Sequence, residues 1–280
     1  MWKQKISMSL ESAYTRPTTE VVKILHDVGF DAVAPAWEPQ EQLDGIVKTA
    51  RELGMELHFL HGPFVGIDKM WSLDDAVARP AYDLMKRALD DCIRLRIPVM
   101  VMHTWIGFTY EFDPKTLNFT YFDRIVDHAK VNGVQIAFEN TEGEDYLKAL
   151  MDHFREENAV GFCYDSGHEM CYNHSQDMLA PYADKLLVTH LNDNLGITAR
   201  DGVISWFDDL HLLPYDGAGD WDNVIARLKN CRKVEYINLE CSNISKPGKH
   251  ENDIYAAMPL EVYFMEAYKR ARKLAYRYSL

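Results

Sequence analysis

Four apolar runs in the second half of this 280-residue chain each close on a residue able to bind a metal ion or move a proton. Residues 134–140 (VQIAFEN) carry Glu139, 159–168 (AVGFCYDSGH) carry Asp165, 186–193 (LLVTHLND) carry His190 and 234–241 (VEYINLEC) carry Glu240. Oxygen donors with one imidazole and no thiolate suit Mn²⁺, Zn²⁺, Mg²⁺ or Co²⁺. Two glutamates among the four also supply an acid/base pair. Acids at strand ends commonly cap helices or form ion pairs instead. Four in succession, beside the polar Asn140, His168, Asn192 and Asp193, point to a shared cation.

Five further residues have the same chemistry. His61 ends FLHG, His103 ends VMVMH, His168 follows Asp165 in DSGH, and Asp209 and His211 form an Asp-x-His pair. A lone strand-end histidine is ordinarily structural. Together with the central four, these five are candidates for additional metal or substrate contacts. One ion is expected, with capacity for up to three. The Asp-x-His pair alternates as a short strand does, which places both side chains on one side.

Such scattered residues meet only if the strands are parallel, because parallel strands deliver their carboxyl ends to one face. Strands are expected at 5–8, 31–34, 56–61, 99–103, 134–139, 160–164, 186–191 and 236–239. Helices are expected at 18–28, 40–53, 76–94 and 121–131. Helix-start signals recur at Thr18 and Thr19, at Ser72 before Asp74, and at Asp220 before Trp221. Gly29, Gly54 and Gly133 stand where helices stop. Eight β/α alternations without a Pro/Gly/Ser-rich linker predict an α/β fold, a (β/α)₈ TIM barrel forming a single domain over 1–280. The segment 260–278 is expected to be the closing helix. Two long loops, 62–73 and 193–219, lie on the ligand face and suit active-site walls. Among the aromatics near the mouth, Trp37, Phe64, Trp105 and Trp206 are candidate substrate-wall residues, with Trp71, Phe108 and Phe207 beside them. GAGDWD at 217–222 is a glycine-rich turn opening a helix, a shape that can cradle phosphate.

Composition narrows the partners. Thirty basic against 43 acidic residues give a net charge of −13, and 47% of residues are hydrophobic. Nucleic-acid binding relies on a basic footprint, so that balance opposes it. No run reaches the roughly 20 apolar residues of a membrane span, and the first residues lack a signal-peptide pattern. A cytoplasmic location is therefore expected, with a homo-oligomer left open. Five cysteines without a CxxC pair read as reduced thiols, Cys163 and Cys241 as small core residues.

Taken in order, LHGPF at 60–64, His103, AFEN at 137–140, YDSGH at 164–168, THLND at 189–193, DLHLLPYDGAGDWD at 209–222 and NLEC at 238–241 resemble the xylose isomerase-like barrel superfamily. That superfamily holds sugar isomerases, epimerases, related dehydratases and zinc AP endonucleases. In its isomerase and epimerase branch, the resemblance implies one divalent metal on Glu139, Asp165, His190 and Glu240, with Glu139 and Glu240 as acid/base pair. In the endonuclease branch it implies three zinc ions on all nine residues. The segment LNDNLG after His190 departs from ketose 3-epimerases, which have a Glu and an Arg there.

The expected activity is isomerisation or epimerisation of a small polyhydroxylated carbonyl compound. One glutamate takes a proton beside the carbonyl, a metal-stabilised enediolate forms, and the other glutamate returns a proton. A lyase or dehydratase acting on a keto-sugar or inosose follows if a β-hydroxyl leaves instead. A trinuclear-zinc phosphodiesterase and a non-catalytic sugar- or metal-binding barrel are the remaining alternatives.

Overall fold

The computed structural model describes residues 4–10, 14 and 16–280. Within them, short β-rich runs alternate with amphipathic helices, and the strands pair in parallel throughout. They are β1 (Lys5–Leu10), β2 (Ala32–Pro35), β3 (Glu56–Leu57), β4 (Leu60–His61), β5 (Val99–Met102), β6 (Gln135–Glu139), β7 (Val160–Asp165), β8 (Leu186–His190) and β9 (Tyr236–Leu239). The order is β3-β2-β1-β9 in one run and β4-β5-β6-β7-β8 in the other. Bridges between Ala36 and His61 and between Leu191 and Leu239 join the two runs edge to edge. The result is a closed TIM-type barrel.

The expected third strand is split. β3 pairs with β2, β4 pairs with β5, and His58 and Phe59 make the break between them. Both side chains at the break are buried. The His58 ring stacks on Tyr236 with centroids 4.1 Å apart.

Helices α1 (Thr18–Val28), α2 (Gln40–Glu52), α3 (Asp75–Arg94) and α4 (Thr120–Val131) form where the 3.6-residue apolar period predicts them. Gly29, Gly54 and Gly133 follow α1, α2 and α4 with φ of 110°, 76° and 72°. Capping differs in detail from the expectation. Pro17, not a threonine, precedes α1, and Asp74 caps α3 by accepting from Ala76 N. The next helices are α5 (Glu144–His153), α6 (Ser166–Cys171) and α7 (Trp221–Leu228), the last capped by Asp220. A short α8 (Asp253–Ala256) leads into α9 (Leu260–Ser279), which packs against β1, β9, α1 and α7. Burial of Tyr263, Phe264, Ala271 and Leu274 there makes α9 the closing helix.

Two apolar layers follow from this geometry. The larger fills the space between strands and helices. The smaller fills the barrel interior with Ala34, Phe59, Val99, Val101, Ala137, Cys163 and Val188. That floor is packed with side chains, so a polar cluster at the strand ends sits on a dry base.

Candidate metal centre at the barrel mouth

Register decides which strand-end residues meet. Phe162 pairs with Leu186, but Cys163 pairs with Val188 and Asp165 with His190, so one extra residue enters β8 at Leu187. Without that bulge the pairing begun at Phe162 would set Asp165 against Thr189. The bulge therefore brings the carboxylate and the imidazole side by side.

The nine candidate residues form one connected cluster. Nδ1 of His190 lies 2.6 Å from Glu240 Oε2, 3.1 Å from Glu139 Oε1 and 3.9 Å from Asp165 Oδ2. Ligand atoms of Glu139, Asp165, His190 and Glu240 all fall within 4.8 Å of one another. His61 and His103 approach the other Glu139 oxygen at 3.4 and 3.5 Å. His168 bridges outward, with Nδ1 3.3 Å from Glu139 and Nε2 3.7 Å from Asp209. Asp209 in turn lies 2.9 Å from His211 Nε2. Two further groups thus flank the central four: His61, His103 and Glu139 on one side, and His168, Asp209 and His211 on the other.

Asp-x-His reaches this arrangement by another route than strand alternation. His211 adopts φ of +50°, a left-handed conformation, and that turn brings its ring to Asp209. Holding a non-glycine residue there carries strain that the surrounding structure must offset.

Supporting contacts hold the ligands in place. Asn140 pairs with the Asp165 backbone in both directions, at 2.8 and 2.7 Å. Asn192 Nδ2 donates to Asp165 Oδ2 at 3.0 Å. Asp165 also caps α6, its Oδ1 accepting from His168 N at 2.6 Å. The helix cap and the candidate metal ligand are therefore the same carboxylate. Gly167 is required for this approach, since a Cβ there would stand 1.8 Å from Asn192 Oδ1.

Electrostatics show what the cluster lacks. Glu139 and Asp165 are fully buried and Glu240 nearly so. Among the described residues, no Lys or Arg forms an ion pair with any of the three. Burial pushes Glu139 upward, but the His190 charge and hydrogen bonds from His168, His190 and His61 hold it well below its ordinary range. Glu240 is likewise opposed by burial and drawn down to about 2 by His190. Asp165 is pushed up to about 7 by burial and by the Glu139 and Glu240 charges, against the pull of His168 and His190. Burial drives His103 down to about 3. Three carboxylates crowded in a dry site favour a cation among them. Glu139 Oε2 is buried with no hydrogen bond of good geometry, His61 and His103 standing off at 3.4 and 3.5 Å. Oxygen donors plus imidazole fit a hard or borderline divalent ion. Cys163 also lies within ligand reach of Glu139 and His190. Burial raises its thiol well above the ordinary range, in keeping with a core residue.

Over the cluster opens a cavity of about 540 Å³, within the roughly 300–1,000 Å³ typical of small-molecule sites. Phe64, Phe108 and Trp206 line it with Tyr172 and Ile106. Trp37 and Trp105 stand outside the lining. The Trp37 indole donates to Asp91 of α3, and Trp105 lies flat on Tyr146 with centroids 4.1 Å apart. Trp71 is buried, donating to Thr104 O, and Phe207 packs on Trp206. The Trp37 indole finds its partner on a helix, and those of Trp71 and Trp105 find theirs on carbonyls of the loop after β5. Tyr172, which stacks on His168 at 4.7 Å, and Lys246, in the loop after β9, are lining residues that strand-end patterning passes over.

The glycine-rich turn serves an internal carboxylate. Asp193 accepts from Asn194 N, Gly219 N, Tyr215 N and Trp221 Nε1. A Cβ on Gly217 would lie 2.3 Å from Asp193 Oδ1. Gly219 N and the Trp221 indole of the turn are spent on Asp193 and Ala218 N on the Asn194 carbonyl, and the glycine at 217 lets the turn close on that carboxylate.

The family model of the xylose isomerase-like TIM barrel matches residues 22–258. The chain belongs to that family. Among curated proteins, the uncharacterized protein y4fM of Sinorhizobium fredii is 34% identical over 173 residues, 56% of this chain and 51% of that protein. The match therefore spans about half the length of that relative. Among solved structures, a xylose isomerase-like TIM barrel/4-hydroxyphenylpyruvate dioxygenase fusion protein superposes with a TM-score of 0.70 and 16% identity, covering 96% of this chain and 42% of that one. D-psicose 3-epimerase, solved in the presence of D-fructose, gives 0.70 at 15% identity, covering 97% and 99%. At such identities the structural likeness establishes the barrel. No helix among the described residues of this xylose isomerase-like barrel is long and apolar enough to cross a membrane.

Proposed function

We propose that this barrel is a divalent-metal-dependent isomerase or epimerase of small polyhydroxylated carbonyl compounds. The observation that carries the reading is the meeting of Glu139, Asp165, His190 and Glu240 on one point, at the floor of a cavity with aromatic walls. Likeness to a sugar epimerase of the same fold supports it. The four residues would hold the ion, which when bound supplies Lewis acidity that activates a C–H beside a carbonyl. Asp165 and His190 orient and hold. Glu139 and Glu240 are both drawn toward the carboxylate form by their histidine partners, which suits the one that takes the substrate proton; the other first draws a proton from solvent and then returns it to the substrate. Return to the same carbon from the opposite face is epimerisation, and return to the neighbouring carbon is isomerisation. Incubation of the Mn²⁺-loaded protein with a panel of ketoses in D₂O tests this, with deuterium in the substrate as the expected result. Metal binding without exchange across the panel would favour a binding module.

One observation favours a second reading. The groups His61/His103/Glu139 and His168/Asp209/His211 provide two more three-ligand sites beside the first, the donor set of a trinuclear zinc phosphodiesterase. The acidic balance of the chain opposes a nucleic-acid substrate. Cleavage of an abasic duplex, abolished by chelation, would establish this reading in place of the first.

A further inference from the structure

Lys246 is the one Lys or Arg among the described residues that line the mouth cavity, where Glu139, Glu142, Asp209 and Glu240 also stand. In so acidic a site an ammonium group would ordinarily close on a carboxylate. Lys246 does so only loosely: among the described residues its nearest carboxylate oxygen, Asp209 Oδ2, is 3.8 Å away, beyond hydrogen-bond distance, and that oxygen already lies 2.9 Å from His211. Among the described residues its Nζ makes no hydrogen bond. Instead it lies 5.2 Å from the centre of the Trp206 ring, and its side chain is about one quarter exposed. The Trp206 face thus holds a charged donor, part-way out of water, at the rim of the site.

We infer that Lys246, steadied by Trp206, binds a carboxylate on the substrate, so that the substrate is a sugar acid and not a neutral sugar. The inference rests on the sugar-enzyme reading for the rest of the substrate. Placement supports it. Lys246 meets Asp209, Asp209 meets His168, and His168 meets Glu139, so the ammonium stands one imidazole and one carboxylate from the proton-transfer centre. A small sugar can lay its carbonyl end on the glutamates and extend its far end to the lysine. Charge selects carboxylate over phosphate. A phosphate dianion calls for several donors or a helix N-terminus. Here there is one ammonium facing four acids, and in the nearby glycine turn Gly219 N is committed to Asp193 and Ala218 N to the Asn194 carbonyl. A single negative charge with two acceptor oxygens is what one lysine can match.

The test uses chain-length-matched pairs, D-fructuronate against D-fructose and D-tagaturonate against D-tagatose, with D-fructose 6-phosphate as a third probe. Binding to the Mn²⁺-loaded protein is measured by calorimetry, and solvent-deuterium exchange is followed in parallel. The carboxylated member of each pair is expected to bind about tenfold more tightly or better. Lys246→Met should close that gap, and Lys246→Arg should keep most of it. Equal binding within pairs, binding of neither member, a preference that survives Lys246→Met, or tighter binding of the phosphate would each overturn the inference. A Lys246-dependent preference without any exchange would remove the proton-transfer reading and leave the anion site standing. Exchange into neutral ketoses with no preference would do the reverse.

Discussion

Glu240 Oε2 lies 2.6 Å from Nδ1 of His190, the shortest contact between side chains of the candidate cluster among the described residues. The two residues end neighbouring strands, and Leu191 and Leu239 bridge beside them. In this geometry a bound cation would find both groups within ligand reach. Burial of Glu139, Asp165 and His190 against an apolar floor means that no solvent compensates their charges.

Metal should therefore stabilise the fold. A ligand present at 100 times its dissociation constant adds about 2.7 kcal/mol, which for a chain of this size raises Tm by roughly 5 °C. Differential scanning calorimetry with and without Mn²⁺ or Zn²⁺ checks this. Asp165→Asn should erase most of the gain.

Glu240→Gln should retain the fold and lose proton transfer. The amide keeps the shape of the side chain and removes the base. Deuterium exchange into a ketose substrate is expected to fall by about 10²-fold or more, with an unchanged circular dichroism spectrum. Undiminished exchange in the variant would assign the proton transfer elsewhere.

His58 makes a pH signature. Buried in the strand break, it is driven down to about 3 by burial and then by the His190 charge. An unfolded histidine titrates near 6.5, so both states are neutral above that value and no stability is at stake there. As pH falls from about 6.5 towards 3, the unfolded chain takes a proton that the folded one refuses, and stability is lost. By pH 4 this amounts to about 3 kcal/mol. Denaturant titrations of wild type and His58→Gln across this window should converge as pH falls. Parallel curves would contradict the assignment.

Asp193 organises the loop that carries Asp209 and His211. Its two oxygens accept four hydrogen bonds, all from groups in that loop or at the start of α7. Asp193→Ala leaves these donors unpaired and should cost about 3 kcal/mol or more. Urea unfolding measures it, and a cost under about 0.5 kcal/mol would show that water replaces the carboxylate.

The strand-end residues were legible in sequence for a physical reason. An apolar run that ends in a polar residue marks where a buried parallel strand surfaces, and parallel strands surface together. His61, His103, Glu139, Asp165, His190 and Glu240 all follow that pattern. What the pattern omits is side-chain reach across loops. Lys246 and Tyr172 lie in segments without periodicity, so nothing in their spacing shows that they turn toward the cavity. Trp37 and Trp105 failed as wall residues because an indole N–H seeks a partner, and theirs lie in Asp91 and in the Gly107 carbonyl. The break at His58 was hidden because residues 56–61 read as one apolar strand, while the closing barrel divides them between two neighbours.

Metal analysis of the untreated protein, read as ions per chain in wild type and in His190→Gln, tests the shared cation most directly. About one Mn²⁺ or Zn²⁺ per chain, lost in the variant, is the predicted result; an ion-free wild type that takes up no added metal would contradict it.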